Sequence, residues 1–147
     1  MPEVHLIRRA QPEDLETVRS FLREYADSLG VDLSFQDFES ELADPLSFYE
    51  LVLLAEAGCV ALRGIDELTC EMKRLYVRPV ARGGGLGRQL AEAVIAEARA
   101  RGYGRMLLDT LPEMSAAQAL YRSLGFRETE PYRHNPVPGA AFLELEL

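Results

Sequence analysis

The spacing richest in chemistry lies in residues 76–90, where an apolar strand pattern runs into Arg82-Gly83-Gly84-Gly85-Leu86-Gly87-Arg88 and then into a helical repeat. A helix that begins there leaves its first backbone N–H groups without intrahelical partners. Glycines at 83, 84, 85 and 87 let an anion approach those groups without meeting a Cβ, and the helix dipole adds about half a positive charge. Arg82 and Arg88 add whole charges. The segment therefore reads as a phosphate site, and its spacing excludes two common kinds. A G-x-G-x-x-G fingerprint started at Gly83 or Gly85 would place Arg88 or Leu90 where the last glycine belongs, and no Gly-Lys-Ser/Thr follows to make a P-loop.

The run from Arg82 to Gly87 resembles the R-x-x-G-x-G pyrophosphate loop of the GNAT superfamily of acetyl-CoA-dependent N-acetyltransferases, and Leu75-Tyr76-Val77-Arg78-Pro79 precedes it as that family's strand does. A second segment, Ala117 followed by Leu120-Tyr121-Arg122-Ser123-Leu124-Gly125-Phe126, is similar to the family's late helix and its terminal L-Y-x-x-L-G-F. The likeness is clearest over residues 50–128. It implies that Leu75, Tyr76 and Val77 offer main-chain groups to a pantetheine arm. Arg82, Gly83, Gly84, Gly85, Leu86, Gly87 and Arg88 would hold the pyrophosphate, with Ser115 nearby and Tyr121 against the cosubstrate as general acid. Met114 stands where many relatives place an asparagine, so that side chain's contacts fall to Ser115 or are lost. The implied reaction is direct attack of an amine on the thioester of acetyl-CoA in a ternary complex, without a metal. Two rival readings are a non-catalytic acyl-CoA-binding sensor and a module for another phosphate ligand.

An alkylammonium, with a pKa of about 10.4, must lose a proton before it attacks. Glu71, on the strand leading to the loop, is the first candidate base, and Asp109 is the second; each also has an ordinary structural reading. Strict alternation places Glu71 on the strand face opposite Tyr76. Tyr121 lies on an apolar helix face, as a packed tyrosine would, and its pKa of about 10 against about 8.5 for a thiol makes proton donation to the leaving thiolate only mildly uphill. Cys59 and Cys70 have no zinc-like spacing and read as small buried hydrophobes, which argues against a covalent acyl-enzyme. His5 and His134 have no partner motif. The three prolines within residues 131–138 stiffen a late loop of the kind that shapes acceptor sites.

These residues need a scaffold. Residues 4–9 predict a short strand, and Pro12 with Glu13 and Asp14 starts a helix bearing Leu15, Val18, Leu22 and Tyr25 on one face. Ser34 and Asp37 have capping-box spacing before Phe35, Phe38 and Leu42, a second helix that Asp44-Pro45 ends. Residues 51–56 and 59–63 predict a hairpin turned at Ala57-Gly58, and 70–77 a third strand. The helix after the glycine loop carries Leu86, Leu90, Ala91, Val94, Ile95 and Ala98 on one face and closes at Gly102. Residues 105–110 form the next strand, so the two strands flanking that helix are parallel, joined by a right-handed crossover. Ser115 with Gln118 caps a further helix ending at Gly125, and 142–147 alternate as the last strand. The expected fold is α+β: one GNAT-like domain over residues 1–147, with a mixed, mostly antiparallel sheet containing one parallel pair, flanked by helices.

At 147 residues, 48% of them apolar, the chain can bury a core without disulfides or metal, and a net charge of −8 argues against a nucleic-acid partner. Residues 1–9 contain no apolar run, so no signal peptide or membrane span is expected and a cytoplasmic location is. The expected partners are acetyl-CoA and an amine acceptor, with a homodimer left open.

Overall fold

In the central strands apolar side chains occupy both faces. In β2 (Leu51–Ala55), Leu51 and Leu53 join one buried cluster while Val52 and Leu54 join another; in β3 (Gly58–Gly64), Val60 and Leu62 divide from Cys59 and Ala61 in the same way. A sheet buried on both faces needs a layer against each. One layer is α4 (Leu86–Ala100) with α5 (Ser115–Ser123), and the whole predicted apolar face of α4 is buried. The other is α1 (Leu15–Leu29), which buries Val18, Phe21 and Leu22, joined by α2 (Phe38–Ala43) and α3 (Pro45–Phe48). Full burial of each large aliphatic contributes about 1.5–3 kcal/mol, so these layers hold the sheet more firmly than strand propensity does.

The computed structural model describes residues 5–30 and 37–147. With β1 (Arg8–Arg9), β4 (Thr69–Val77), β5 (Arg105–Thr110), β6 (Arg127–Glu128) and β7 (Ala141–Glu146), the strands form one seven-stranded sheet in the order β1-β2-β3-β4-β5-β7-β6. Among the described residues only β4 and β5 are parallel, joined through α4 as expected, and β7 inserts between β5 and β6. The α+β class, with a mixed, mostly antiparallel sheet flanked by helices, is the architecture the sequence implied.

Local departures have local causes. The helix expected from Ser34 cannot be compared at its start, because Ser34 and Phe35 lie outside the described residues; α2 begins at Phe38. Asp44 ends it, but Pro45 opens α3 at the first helical position, where a missing N–H removes no bond. Ser115 is not the cap of α5: Met114 occupies that position without a side-chain bond, and the Gln118 amide donates 2.7 Å to the Leu111 carbonyl. A turn from Leu111 to Met114 has already begun the helix, which leaves Ser115 one residue too late to cap it.

The most consequential departure is in β4. Cys59 pairs with Tyr76 and Ala61 with Lys73, so Val60 of β3 alone faces both Arg74 and Leu75 of β4. Arg74 is the extra residue, in the left-handed region at φ 58°. Arg63 pairs with Glu71 in the same ladder, so Glu71, Lys73 and Tyr76 all share one face. Strict alternation had placed Glu71 opposite Tyr76; the bulge corrects that.

Candidate functional site

Strands β4 and β5 pair at Thr69↔Arg105, Cys70↔Met106 and Glu71↔Leu107, and no ladder pair joins them further on. Their remaining lengths diverge, and a cleft of about 550 Å³ opens in the wedge. Leu75, Tyr76 and Val77 form its strand wall. The loop and helix start supply Arg82, Gly83, Gly85, Leu86 and Gly87, and the opposite wall comes from Met114, Ser115, Ala116, Ala117 and Leu120. Tyr25, Ser28 and Leu29 of α1 close the end. Gly85 is the N-cap residue of α4 at φ 87° with no side-chain cap, so the first-turn amides of α4 are presented to the cleft. Arg82 is tied back by its Nε, which donates 3.0 Å to the Val77 carbonyl. Gly84 and Arg88 do not line the cleft: Gly84 sits beside Ala81 and the His5 ring, while Arg88 turns along α4 to bond Ser123 and approach Glu92.

Tyr121 lies deeper, in an adjoining cavity of about 30 Å³ that shares Tyr25, Leu29, Leu75, Leu111 and Met114 with the cleft and adds Lys73, Arg74, Asp109 and Asn135. Its ring is edge-on to Phe126 at 5.8 Å, and burial pushes its hydroxyl well above the ordinary tyrosine range, so it stays protonated and able to donate. Asp109 accepts a 3.0 Å hydrogen bond from Asn135. Burial pulls the Lys73 ammonium down to about 8. The α1 wall is locked to β4 by Glu24, which accepts from Arg78 at 2.9 and 3.0 Å and from the Tyr76 hydroxyl at 3.2 Å. The Arg78 hydrogen bonds hold the Glu24 carboxyl below its usual range.

Glu71 is fully buried and lines neither space. One oxygen accepts from the Tyr132 hydroxyl at 2.5 Å and the other from Arg133 at 2.6 Å. With the Asn135–Asp109 bond, this fastens the proline-rich loop to β4 and β5 at both carboxylates that the sequence offered as bases. The geometry favours Glu71 as the anchor of that loop. Glu71→Gln faces one of the two donors with an NH2 group, so it is expected to cost at least about 1–3 kcal/mol and to loosen residues 131–138, read as faster amide hydrogen exchange there. The pH–rate profile should keep its shape. A rate loss confined to pH below neutral would instead make Glu71 the base.

Cys59 and Cys70 are buried and pushed up to about 12 by desolvation, and His134 is exposed on the loop. Sequence reasoning missed Lys73 and reached Asn135 only as one residue of the late proline-rich loop. A signal existed for the first: Glu71 and Lys73 alternate in the crossover strand, which is buried on both faces and has no use for charge in packing alone.

Residues 15–126 match the family model for the Acetyltransferase (GNAT) family. An uncharacterized N-acetyltransferase of Schizosaccharomyces pombe is 41% identical over 147 residues, covering 92% of this chain and 90% of that protein. Among solved structures, a GNAT family acetyltransferase from Staphylococcus aureus superposes with a TM-score of 0.80 at 19% identity, covering 97% of this chain and 99% of that one. A GNAT family acetyltransferase from Elizabethkingia anophelis with acetyl-CoA bound gives 0.67 at 23% identity, covering 97% and 98%. The family model takes in every residue lining the cleft and every residue lining the inner cavity except Asn135, and stops before the loop that carries Tyr132, Arg133 and Asn135.

Proposed function

Since the chain belongs to the Acetyltransferase (GNAT) family, we propose that it transfers the acetyl group of acetyl-CoA directly to an amine within a ternary complex. The observation that carries this reading is a pair of adjoining spaces with Tyr25, Leu29, Leu75, Leu111 and Met114 in both walls. Together they reach from the uncapped start of α4, along the unpaired edge of β4, to the cavity lined by Tyr121. The first-turn amides of α4 and Arg82 bind the diphosphate, and Leu75, Tyr76 and Val77 align the pantetheine arm; a fold relative with acetyl-CoA bound supports acetyl-CoA as the ligand.

The thioester carbonyl then lies at the β4 edge, where main-chain N–H groups near Leu75 and Tyr76 stabilise the developing oxyanion. The neutral amine attacks the carbonyl carbon: an N–C bond forms and the C–S bond breaks. The amine's surplus proton passes to Asp109 directly or through water, and Tyr121 donates its proton to the departing thiolate. The products are the acetamide and CoA thiol. The high pKa of both cysteines supports the direct route over an acyl-enzyme.

An acetyl-CoA turnover screen over amine classes, with product masses measured, tests the reading. Release of CoA thiol together with an acetylated product is expected. Tight binding with no transfer to any amine would make the protein an acyl-CoA sensor instead. For the loop, Gly87→Val is the clean probe. A Cβ at Gly87 meets only Leu120 and Val77 side chains at an ordinary 3.8 Å, whereas Gly85 at φ 87° would add backbone strain. Loss of one or two charge-assisted bonds to phosphate should weaken acetyl-CoA binding about 10- to 100-fold by calorimetry, with the circular dichroism of wild type. Unchanged affinity in the folded variant would remove the loop from the binding site.

A further inference from the structure

The cleft and the inner cavity share a neck made of Tyr25, Leu29, Leu75, Leu111 and Met114. Tyr121 lines only the inner cavity, whereas the glycine loop lines only the cleft. A cosubstrate that lies along the cleft and takes a proton from Tyr121 must therefore put its sulfur at the neck. The acyl group is bonded to that sulfur, and the pantetheine arm takes the cleft side. Its tail is left with the mouth of the inner cavity, a space of about 30 Å³. That is room for about one or two waters, enough for a methyl group but not for an alkyl chain. The wall also carries Lys73, Arg74, Asp109 and Asn135, so a longer tail would press its carbons against charged and amide groups.

Resting on the acetyl-transfer reading, we infer that Met114 sets the length of acyl chain that is accepted: its side chain closes the neck behind an acetyl group, so that acetyl-CoA is used and longer acyl-CoA thioesters are not. The other neck residues are built into the fold. Tyr25 is fixed by the Tyr76 ring and by the Arg74 guanidinium, and Leu75 packs against the main core. Met114 is held more loosely: it is half-buried, and its sulfur accepts the Thr110 hydroxyl at 3.8 Å. An unbranched thioether of this kind fills an irregular gap between two spaces. A butyryl tail would have to push Met114 aside or draw the thioester back, and either withdraws the leaving sulfur from Tyr121. The transfer is the one written above. A longer acyl group changes no bond made or broken, only the space its tail requires.

The test measures kcat/KM for acetyl-, propionyl-, butyryl- and hexanoyl-CoA with an amine that the turnover screen finds to be acetylated. The acetyl-to-butyryl ratio is read within each protein, so that a general loss of activity cancels. Each methylene without room costs about 10-fold or more, so the wild type is expected to prefer acetyl-CoA over butyryl-CoA by about 100-fold or more. Met114→Ala removes the side chain beyond Cβ and no capping bond, so it should fold and narrow that preference at least about 10-fold. Met114→Leu, of similar volume, should keep it. Equal use of acetyl- and butyryl-CoA by the wild type overturns the inference. So does a Met114→Ala variant that melts with the wild type and keeps its full preference; in both cases the acetyltransferase reading stands. Bound acetyl-CoA with no transfer from any thioester to any amine overturns that reading and the inference with it.

Discussion

Tyr121→Phe is expected to lower kcat by about 10²–10⁴-fold while acetyl-CoA affinity stays close to that of wild type, because the variant deletes one proton donor and nothing else. Tyr121 lines the inner cavity and not the larger cleft, so its loss removes no contact from the glycine loop. Its ring keeps the edge-on contact with Phe126, which phenylalanine reproduces. Burial raises the hydroxyl pKa, which taken alone makes donation to a thiolate less favourable. The departing thiolate enters the same poorly solvated space, however, and the same desolvation raises its pKa too, so the mismatch does not widen in proportion. The stability loss from deleting one hydroxyl is about 1 kcal/mol, and thermal unfolding measured alongside separates it from a catalytic defect. A folded Phe variant that turns over at the wild-type rate wherever chemistry is limiting would reduce Tyr121 to a packing residue.

What could be read from the sequence was whatever rests on short-range periodicity. The buried face of α4 was legible in full because six apolar residues at helical spacing have one way to meet a sheet, and the parallel pair followed from a strand-helix-strand run whose one helix carries the chain back to the end where the first strand began. Most of the glycine loop was legible for a similar reason: glycines beside arginines at a helix start have few structural uses. The inner cavity was not. Lys73, Asp109, Tyr121 and Asn135 come from β4, β5, α5 and the loop before β7, and their meeting depends on β7 inserting between β5 and β6, which no local pattern announces. The loop docking on Glu71 is likewise a contact between residues 61 and 62 positions apart. Nor was the bulge legible, because it rests on a carboxylate from a distant helix.

That carboxylate is Glu41, and Glu41→Gln is expected to destabilise the fold more than any other single isosteric change. Glu41 is fully buried on α2, and both its oxygens take the fork of Arg74, which is itself 4% exposed. The guanidinium also lies 5.3 Å from the Tyr25 ring and 5.7 Å from the Phe38 ring, so it is enclosed on more than one side. Glutamine keeps the shape but leaves a buried cation without its counter-charge and turns an NH2 group toward a donor. Breaking a buried pair from one side costs about 3–5 kcal/mol, which for a chain of this length lowers Tm by on the order of 10 °C. The effect should reach the site. Arg74 holds a left-handed conformation that only glycine adopts readily, and the bulge it forms is what turns Tyr76 onto the Glu71 face at the edge where β4 leaves β5. Acetyl-CoA affinity is therefore expected to fall with stability even though Glu41 lines neither space. The pair Glu41→Leu with Arg74→Gly separates the causes: removing both charges and relieving the strained φ should return the double variant to a stability above either single one. Denaturant unfolding that leaves Glu41→Gln at wild-type stability, or a double variant no better than the worse single, would show that the bulge stands without the ion pair.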